Sequence, residues 1–343
     1  MAYATINKPS NYFNTKLYTG TGATNSVTGV EFQPDLTWIK NRSGTDWHRL
    51  TDAVRGVTKE LYSNAGNAEA TLAQSLQTFN ANGFTLGTQA EVNRNGDNFV
   101  SWNWKANGAG VSNTAGTISS TVSANTTSGF SIVKWTGTGA TGTIGHGLGI
   151  APKLIILKDA TNAYNWYIYT SATGSNLRFE GLNNTNASTS ATSEFTTTST
   201  LITNVTNAAS QNTSGANMIA YCFAEIKGFS KFGSYTGNGS TDGTFVYTGF
   251  KPAFVIMKRS DSADNWLIKD SVRDSFNLTN KRLYPNQDAA EDTSVNGSID
   301  ILSNGFKQRG SDTLTNGSGG TYIYMAFAEQ TLVGTNNVPA TAR

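Results

Sequence analysis

Gly137-Thr138-Gly139-Ala140-Thr141-Gly142 has the Gly-x-Gly-x-x-Gly spacing with which a tight turn cradles a pyrophosphate. That chemistry needs a helix immediately afterwards, so that its N-terminal amides face the phosphates. Here the following residues read as a strand, and a similar turn recurs twice elsewhere, so a structural turn is expected. His48 and His146 are the only imidazoles. A hydrolytic triad would need one of them between a carboxylate and a nucleophile. Neither has a Gly-x-Ser-x-Gly motif beside it, and both are expected in loops. Asp52, Asp270, Glu69 and Glu291 could supply the paired acids of a glycoside hydrolase. They recur at matching places, which favours holding each copy together, Asp52 with Arg55 and Asp270 with Arg273 as ion pairs beside turns. A depolymerase with acids drawn from different copies is the alternative. Trp47, Trp166 and Trp266 could stack on sugar rings. Their repetition and the burial tendency of tryptophan favour three equivalent core residues. Cys222, between Tyr221 and Phe223, reads as a buried thiol. One cysteine and two histidines leave no disulfide framework and no histidine- or cysteine-rich metal site, and no metal or cofactor is expected.

These residues lie on a chain that repeats. Tyr18-Thr19-Gly20-Thr21-Gly22, Trp135-Thr136-Gly137-Thr138-Gly139 and Tyr235-Thr236-Gly237-Asn238-Gly239 open three units. Each is followed by Pro-x-apolar-x-apolar-apolar-Lys, at Pro34–Lys40, Pro152–Lys158 and Pro252–Lys258. The tryptophans Trp47, Trp166 and Trp266 come next, and each unit closes on a strand-like run ending at Trp104, Phe223 and Phe327. Units one and three share further markers, such as Leu61-Tyr62 with Leu283-Tyr284, and unit two is the divergent copy. The boundaries read as an arm at 1–15, units at 16–106, 130–227 and 228–330, a linker or solvated hairpin at 107–129, and a tail at 331–343.

Apolar runs such as Leu154-Ile155-Ile156-Leu157 suit strands buried on both faces. Gly-rich turns between short strands suit a sandwich. The expected fold is all-β: three tandem β-sandwich or jelly-roll-like repeats with short terminal arms. A propeller of three blades would be smaller than usual. One helix is expected over Ala68–Phe79, from Leu72, Leu76 and Phe79 at helical spacing.

Composition narrows the partners. Of 343 residues, 14% are charged, the net charge is +2, and 48 are threonine. Strand faces and turns account for threonine and glycine, and such a balanced charge argues against nucleic acid as a partner. No apolar run is long enough for a membrane span, and no secretory signal is seen at the start. Binding is better sought in loops that differ between units. Asp159, Asn162, Tyr164 and Asn165 lie in one such loop, and Arg259, Asp261 and Asp264 in its equivalent.

The opening Met1-Ala2-Tyr3-Ala4-Thr5-Ile6-Asn7-Lys8-Pro9-Ser10-Asn11-Tyr12-Phe13-Asn14-Thr15, together with Phe32-Gln33-Pro34-Asp35, Trp38-Ile39-Lys40-Asn41-Arg42, Val100-Ser101-Trp102-Asn103-Trp104 and Gly145-His146-Gly147-Leu148-Gly149, resembles tail-fibre-like virion proteins of environmental, marine-type tailed bacteriophages. The resemblance covers nearly the whole chain. It implies repeated lectin-like sandwiches, a place on the virion exterior with the tail favoured over the capsid, other virion proteins as partners and a homo-oligomer, a trimer by preference. The reading is then a non-enzymatic tail-fibre or host-recognition component, docked through 1–15 and touching a cell-surface glycan. A capsid decoration or head fibre is the alternative.

Overall fold

The computed structural model describes residues 4–206, 208–333 and 339–341. Strands make almost all of its regular structure; one turn of α-helix at Ala90–Asn93 and a 3-10 turn at Pro9–Asn11 are the helical elements. The protein is all-β.

One topology occurs three times. In the first unit a four-stranded antiparallel sheet runs in the order Phe13–Thr19, Asn98–Trp104, Leu36–Asn41, Arg49–Asp52. In the third the order is Ser230–Thr236, Thr321–Thr331, Phe250–Arg259, Trp266–Asp270. The second has Phe130–Thr136, Asn217–Phe223, Leu154–Asp159, Tyr167–Thr170, extended by two strands on each edge. Each unit adds a three-stranded sheet, built on Asn25–Thr28, Gly142–Gly145 or Phe245–Tyr247.

Strand alternation explains runs that are apolar on both sides. Ile219, Tyr221 and Phe223 point into a core shared by all three units, while Met218, Ala220 and Cys222 point into the second unit's own sandwich. Ile323, Met325 and Phe327 divide from Tyr322, Tyr324 and Ala326 in the same way. So does Trp38 from Ile39 in the first unit. Sheet faces, not edges, therefore line the common core, like the walls of a triangular prism. Trp104, Phe223 and Phe327, register equivalents on the three central strands, meet there. Their ring centroids lie 6.2, 5.8 and 5.9 Å apart pairwise, within the range of favourable edge-to-face contact.

Several expectations change. The helix over Ala68–Phe79 is absent: that stretch holds strands Ala70–Thr71 and Leu76–Asn80 around a turn. A bulge between Leu76 and Thr78 shifts the strand's parity, so Leu76 and Phe79 both reach the outer core without a helix. Of the two alternatives for residues 107–129, the hairpin is found: Val111–Asn113 pairs antiparallel with Ser120–Asn125, which joins the second unit's sheet. The first unit's sheet begins at Phe13, and Ile6, Pro9 and Phe13 are buried, so the described part of the 1–15 arm is built into the body. Residues 1–3 of that arm, and 334–338 and 342–343 of the tail, lie outside the described residues. The last strand runs on to Thr331.

The register also moves one repeat marker. Pro34, Pro152 and Pro252 each stand two residues before the ladder that pairs Leu36 with Asp52, Leu154 with Thr170 and Phe254 with Asp270. Counting back from those partners aligns Trp166 and Trp266 with His48, not with Trp47. Trp166 and Trp266 are buried, as expected of core residues, whereas Trp47 is 37% exposed and packs edge-on against Tyr62.

Candidate functional site

The repeated polar residues are consumed by the fold. Each Gly-rich turn is clamped by a buried asparagine from the end of its own unit. Asn93 accepts from Thr21 N and donates to Ala23 O. Asn212 does so with Thr138 and Ala140, and Asn316 with Asn238 and Ser240. Gly22, Gly139 and Gly239 sit at φ of 66°, 65° and 66°, a conformation glycine adopts without strain. A strand, Gly142–Gly145, follows the central turn, so the phosphate-cradling context is missing.

Asp52 Oδ2 accepts from Arg55 Nε at 2.5 Å, and Asp270 Oδ2 from Arg273 Nε at 2.5 Å. Each aspartate also accepts two backbone N–H groups of its turn. These are the expected local pairs. Both histidines lie in loops, as expected, but are fully buried. His48 Nδ1 accepts from the Trp38 indole at 2.9 Å, which places its proton on Nε2. Burial, reinforced by Lys40, holds its pKa well below the usual range. His146 Nδ1 accepts from Leu148 N, so its Nε2 donates to Thr198 O. Burial pushes the Cys222 thiol up to about 12.

The three units meet at three equivalent junctions. Trp166 Nε1 donates to Tyr62 O of the first unit, and Trp266 Nε1 to Gly181 O of the second. His48 Nε2 faces Tyr284 O of the third, without full hydrogen-bond geometry. The motif lysines are fully buried beside these contacts. Lys40 Nζ donates to the carbonyls of Asn41, Gly44 and Asp288. Lys158 caps Asp159 and Asn162, and Lys258 caps Arg259 and Thr185. Burial lowers all three to about 8, against the pull of neighbouring carboxylates.

The variable loops lie at two of these junctions and do not converge. Asp159 is buried and accepts from Thr161 N, Asn162 N and Asn162 Nδ2. Asn165 accepts from Asn183. Arg259 pairs with Asp261, holding that carboxyl below its usual range, and Asp264 accepts from Asn265 N. Of the seven, Tyr164 presents an exposed ring. Its loop runs along the first unit: Glu69 N donates to Ala160 O, and Tyr164 O lies beside Gly66.

That loop borders the polar groove that sequence reasoning missed. A hollow of about 180 Å³ between the first and second units is lined by Arg55, Lys59, Glu69, Lys134, Ala160 and Asn217, over Met218 and Ile219. Lys134 and Asn217 continue into a neighbouring hollow of about 260 Å³, lined by Ser119, Ser120, Thr121, Trp135 and Thr136. Arg55 is saturated by Asp52, Glu69 and two carbonyls. Lys134 and the Asn217 amide have no side-chain partner among the described residues. The groove thus offers one ammonium, one amide and several hydroxyls for hydrogen bonding. Among the described residues, no group of three His, Cys, Asp or Glu could hold a metal ion, and no helix is long and apolar enough to cross a membrane.

Comparison with known families gives one finding: the model of the family described as Domain of unknown function (DUF7483) matches residues 8–331. No curated protein and no solved structure matches the chain.

Proposed function

The chain belongs to the DUF7483 family, and we propose that it is a carbohydrate-binding component of a phage virion, exposed on the particle and used in host recognition. The observation that carries the binding role is the open groove between the first and second units. Sugars present ring hydroxyls that need matched donors and acceptors, and such sites combine a concave surface with a few free polar groups. Asn217, Ser119, Thr121 and Thr136 supply them along one line, with the Tyr164 ring on the adjoining loop. The virion setting rests on the resemblance of the sequence and on the polar but weakly charged composition. A binding rather than hydrolytic role is supported by the burial and arginine pairing of the repeated aspartates.

Three copies of one topology surround a common core within one chain. The proposed partners are further copies of the chain, a trimer by preference, neighbouring virion proteins and the host glycan. The test has two parts. Purified protein is incubated with host cells and their extracted polysaccharide, and intact virions are imaged by cryo-electron microscopy. Saturable binding, weakened at least fivefold by Asn217→Ala, together with density on the tail, supports the proposal. Failure to bind host polysaccharide removes the recognition role, and density on the capsid shell decides for a decoration protein.

A further inference from the structure

The three junctions are built alike, so the one that Arg42 closes shows what the first-to-second junction has lost. Where the third unit meets the first, Glu291 N donates to Arg42 O at 2.9 Å. The Arg42 guanidinium then folds back onto that glutamate, Nε to Oε2 at 3.0 Å and Nη2 to Oε1 at 2.7 Å. Where the second meets the third, Ser188 donates to Ser260 O through both its N–H and its hydroxyl. Where the first meets the second, the same backbone bond joins Glu69 N to Ala160 O at 2.8 Å. The residue in the place of Arg42 is now a methyl group, and the hollow of about 180 Å³ lies beside it.

A second replacement acts at the same place. Register puts Lys134, opposite Ile219, where the first unit has Leu17, opposite Val100. Leu17 packs against the shared core; Lys134 brings an ammonium to the hollow instead. Glu69 is already answered by Arg55 at 3.2 Å and Lys59 at 3.7 Å. An incoming cation would therefore meet two lysines and no free carboxylate. An incoming anion meets an ammonium without a counter-ion, and charge-assisted hydrogen bonds are the stronger kind.

Resting on the carbohydrate reading above, we propose that this junction is an acidic-sugar site, in which Lys134 and the Asn217 amide take the carboxylate of a uronic acid residue. The hydroxyl-lined extension past Thr136 takes the next sugar ring. Lys134 gives the site its preference for charge, and the small side chain of Ala160 gives it room.

The test is binding of the full chain to polygalacturonate, to its methyl ester, to neutral dextran and to poly-glutamate. Polygalacturonate should bind, with the ester and dextran at least tenfold weaker. Lys134→Leu, which restores the first unit's residue, should weaken polygalacturonate at least tenfold while leaving the melting temperature within a few degrees. Ala160→Arg, which rebuilds the sealed junction, should abolish it. Wild-type affinity in both variants overturns the site. Equal binding of the acid, its ester and dextran overturns the charge preference and leaves the carbohydrate reading standing. Binding of poly-glutamate but of no sugar, or of none of the four polymers, overturns the acidic-sugar assignment; host polysaccharide binding then decides the broader reading separately.

Discussion

The indole Nε1 of Trp102 donates to Oδ2 of Asp270 at 3.1 Å, joining the first unit to the third. The next junction repeats the bond with a different donor: the Tyr221 hydroxyl donates to Asp52 Oδ2 at 2.8 Å. At the remaining junction the register gives Met325 in the donor's place and Thr170 in the acceptor's. Donor and carboxylate are absent together, as the cost of an unpartnered buried carboxylate requires.

Tyr221→Phe removes one hydroxyl and leaves Asp52 short of a donor in the interior. A hydrogen bond to a charged group contributes about 1.5–3 kcal/mol, and a loss of that size is expected in urea unfolding at pH 7. A loss below about 0.5 kcal/mol would mean that Arg55 alone satisfies the carboxylate.

Arg42→Ala should open, between the third and first units, the hollow that Ala160 leaves between the first and second. Burial raises the pKa of Glu291, but Arg42 and Arg273 outweigh it and hold the carboxyl below its usual range. Removing Arg42 leaves a largely buried carboxylate with one cation, so a loss of about 1–3 kcal/mol is expected. Unfolding midpoints at pH 7 check this, and an unchanged midpoint would refute it.

The buried lysines give stability a distinct pH dependence. Lys40, Lys158 and Lys258 sit at about 8 in the folded chain, lowered by burial, against 10.5 for an ordinary lysine. Between those values the unfolded chain binds more protons, so stability rises with pH. The rise should run from about pH 8 to about pH 10 and then reverse. Tyr18, Tyr221 and Tyr235, raised well above 10 by burial, ionise first in the unfolded chain. Urea midpoints at pH 7.5, 8.5 and 9.5 should increase in that order; a flat or falling series contradicts the account.

Cys222 is buried and its thiol is pushed up to about 12 by burial. A thiolate-selective reagent should leave the native chain unmodified at pH 8 and label it fully in denaturant. Rapid native labelling would show that the second unit opens readily.

The all-β character was legible because turns and apolar runs are local signals, whereas the strand order within each sheet depends on pairing between distant segments. Glycine at positive φ in each turn, and a proline two residues before each hairpin ladder, mark the same places in every unit. The alignment of Trp47 with Trp166 was misleading because hairpin pairing, not spacing along the chain, decides which residue faces the neighbouring unit. His48 takes the place of tryptophan, and its buried acceptor, Nδ1, is met by Trp38. The helix over 68–79 is absent because Leu76 and Phe79 fit a bulged strand as well as helical spacing, while Leu72 falls in the turn before it. The groove escaped notice because its residues are the exceptions to the repeat. The signal was nevertheless present: Ala160 follows Lys158 by two residues, as Arg42 follows Lys40. The loop candidates differ between units, yet Asp159, Arg259 and Asp261 spend their polar groups within their own loops, and Asn165 spends its on Asn183.

The most direct test is hydrogen–deuterium exchange with and without an excess of host polysaccharide fragments. Protection confined to peptides covering 119–121, 134–136, 160–164 and 217–219 is the predicted result, with no change at the equivalent positions of the other two junctions. Equal protection at all three junctions, or at none, would contradict a binding groove at the first-to-second junction.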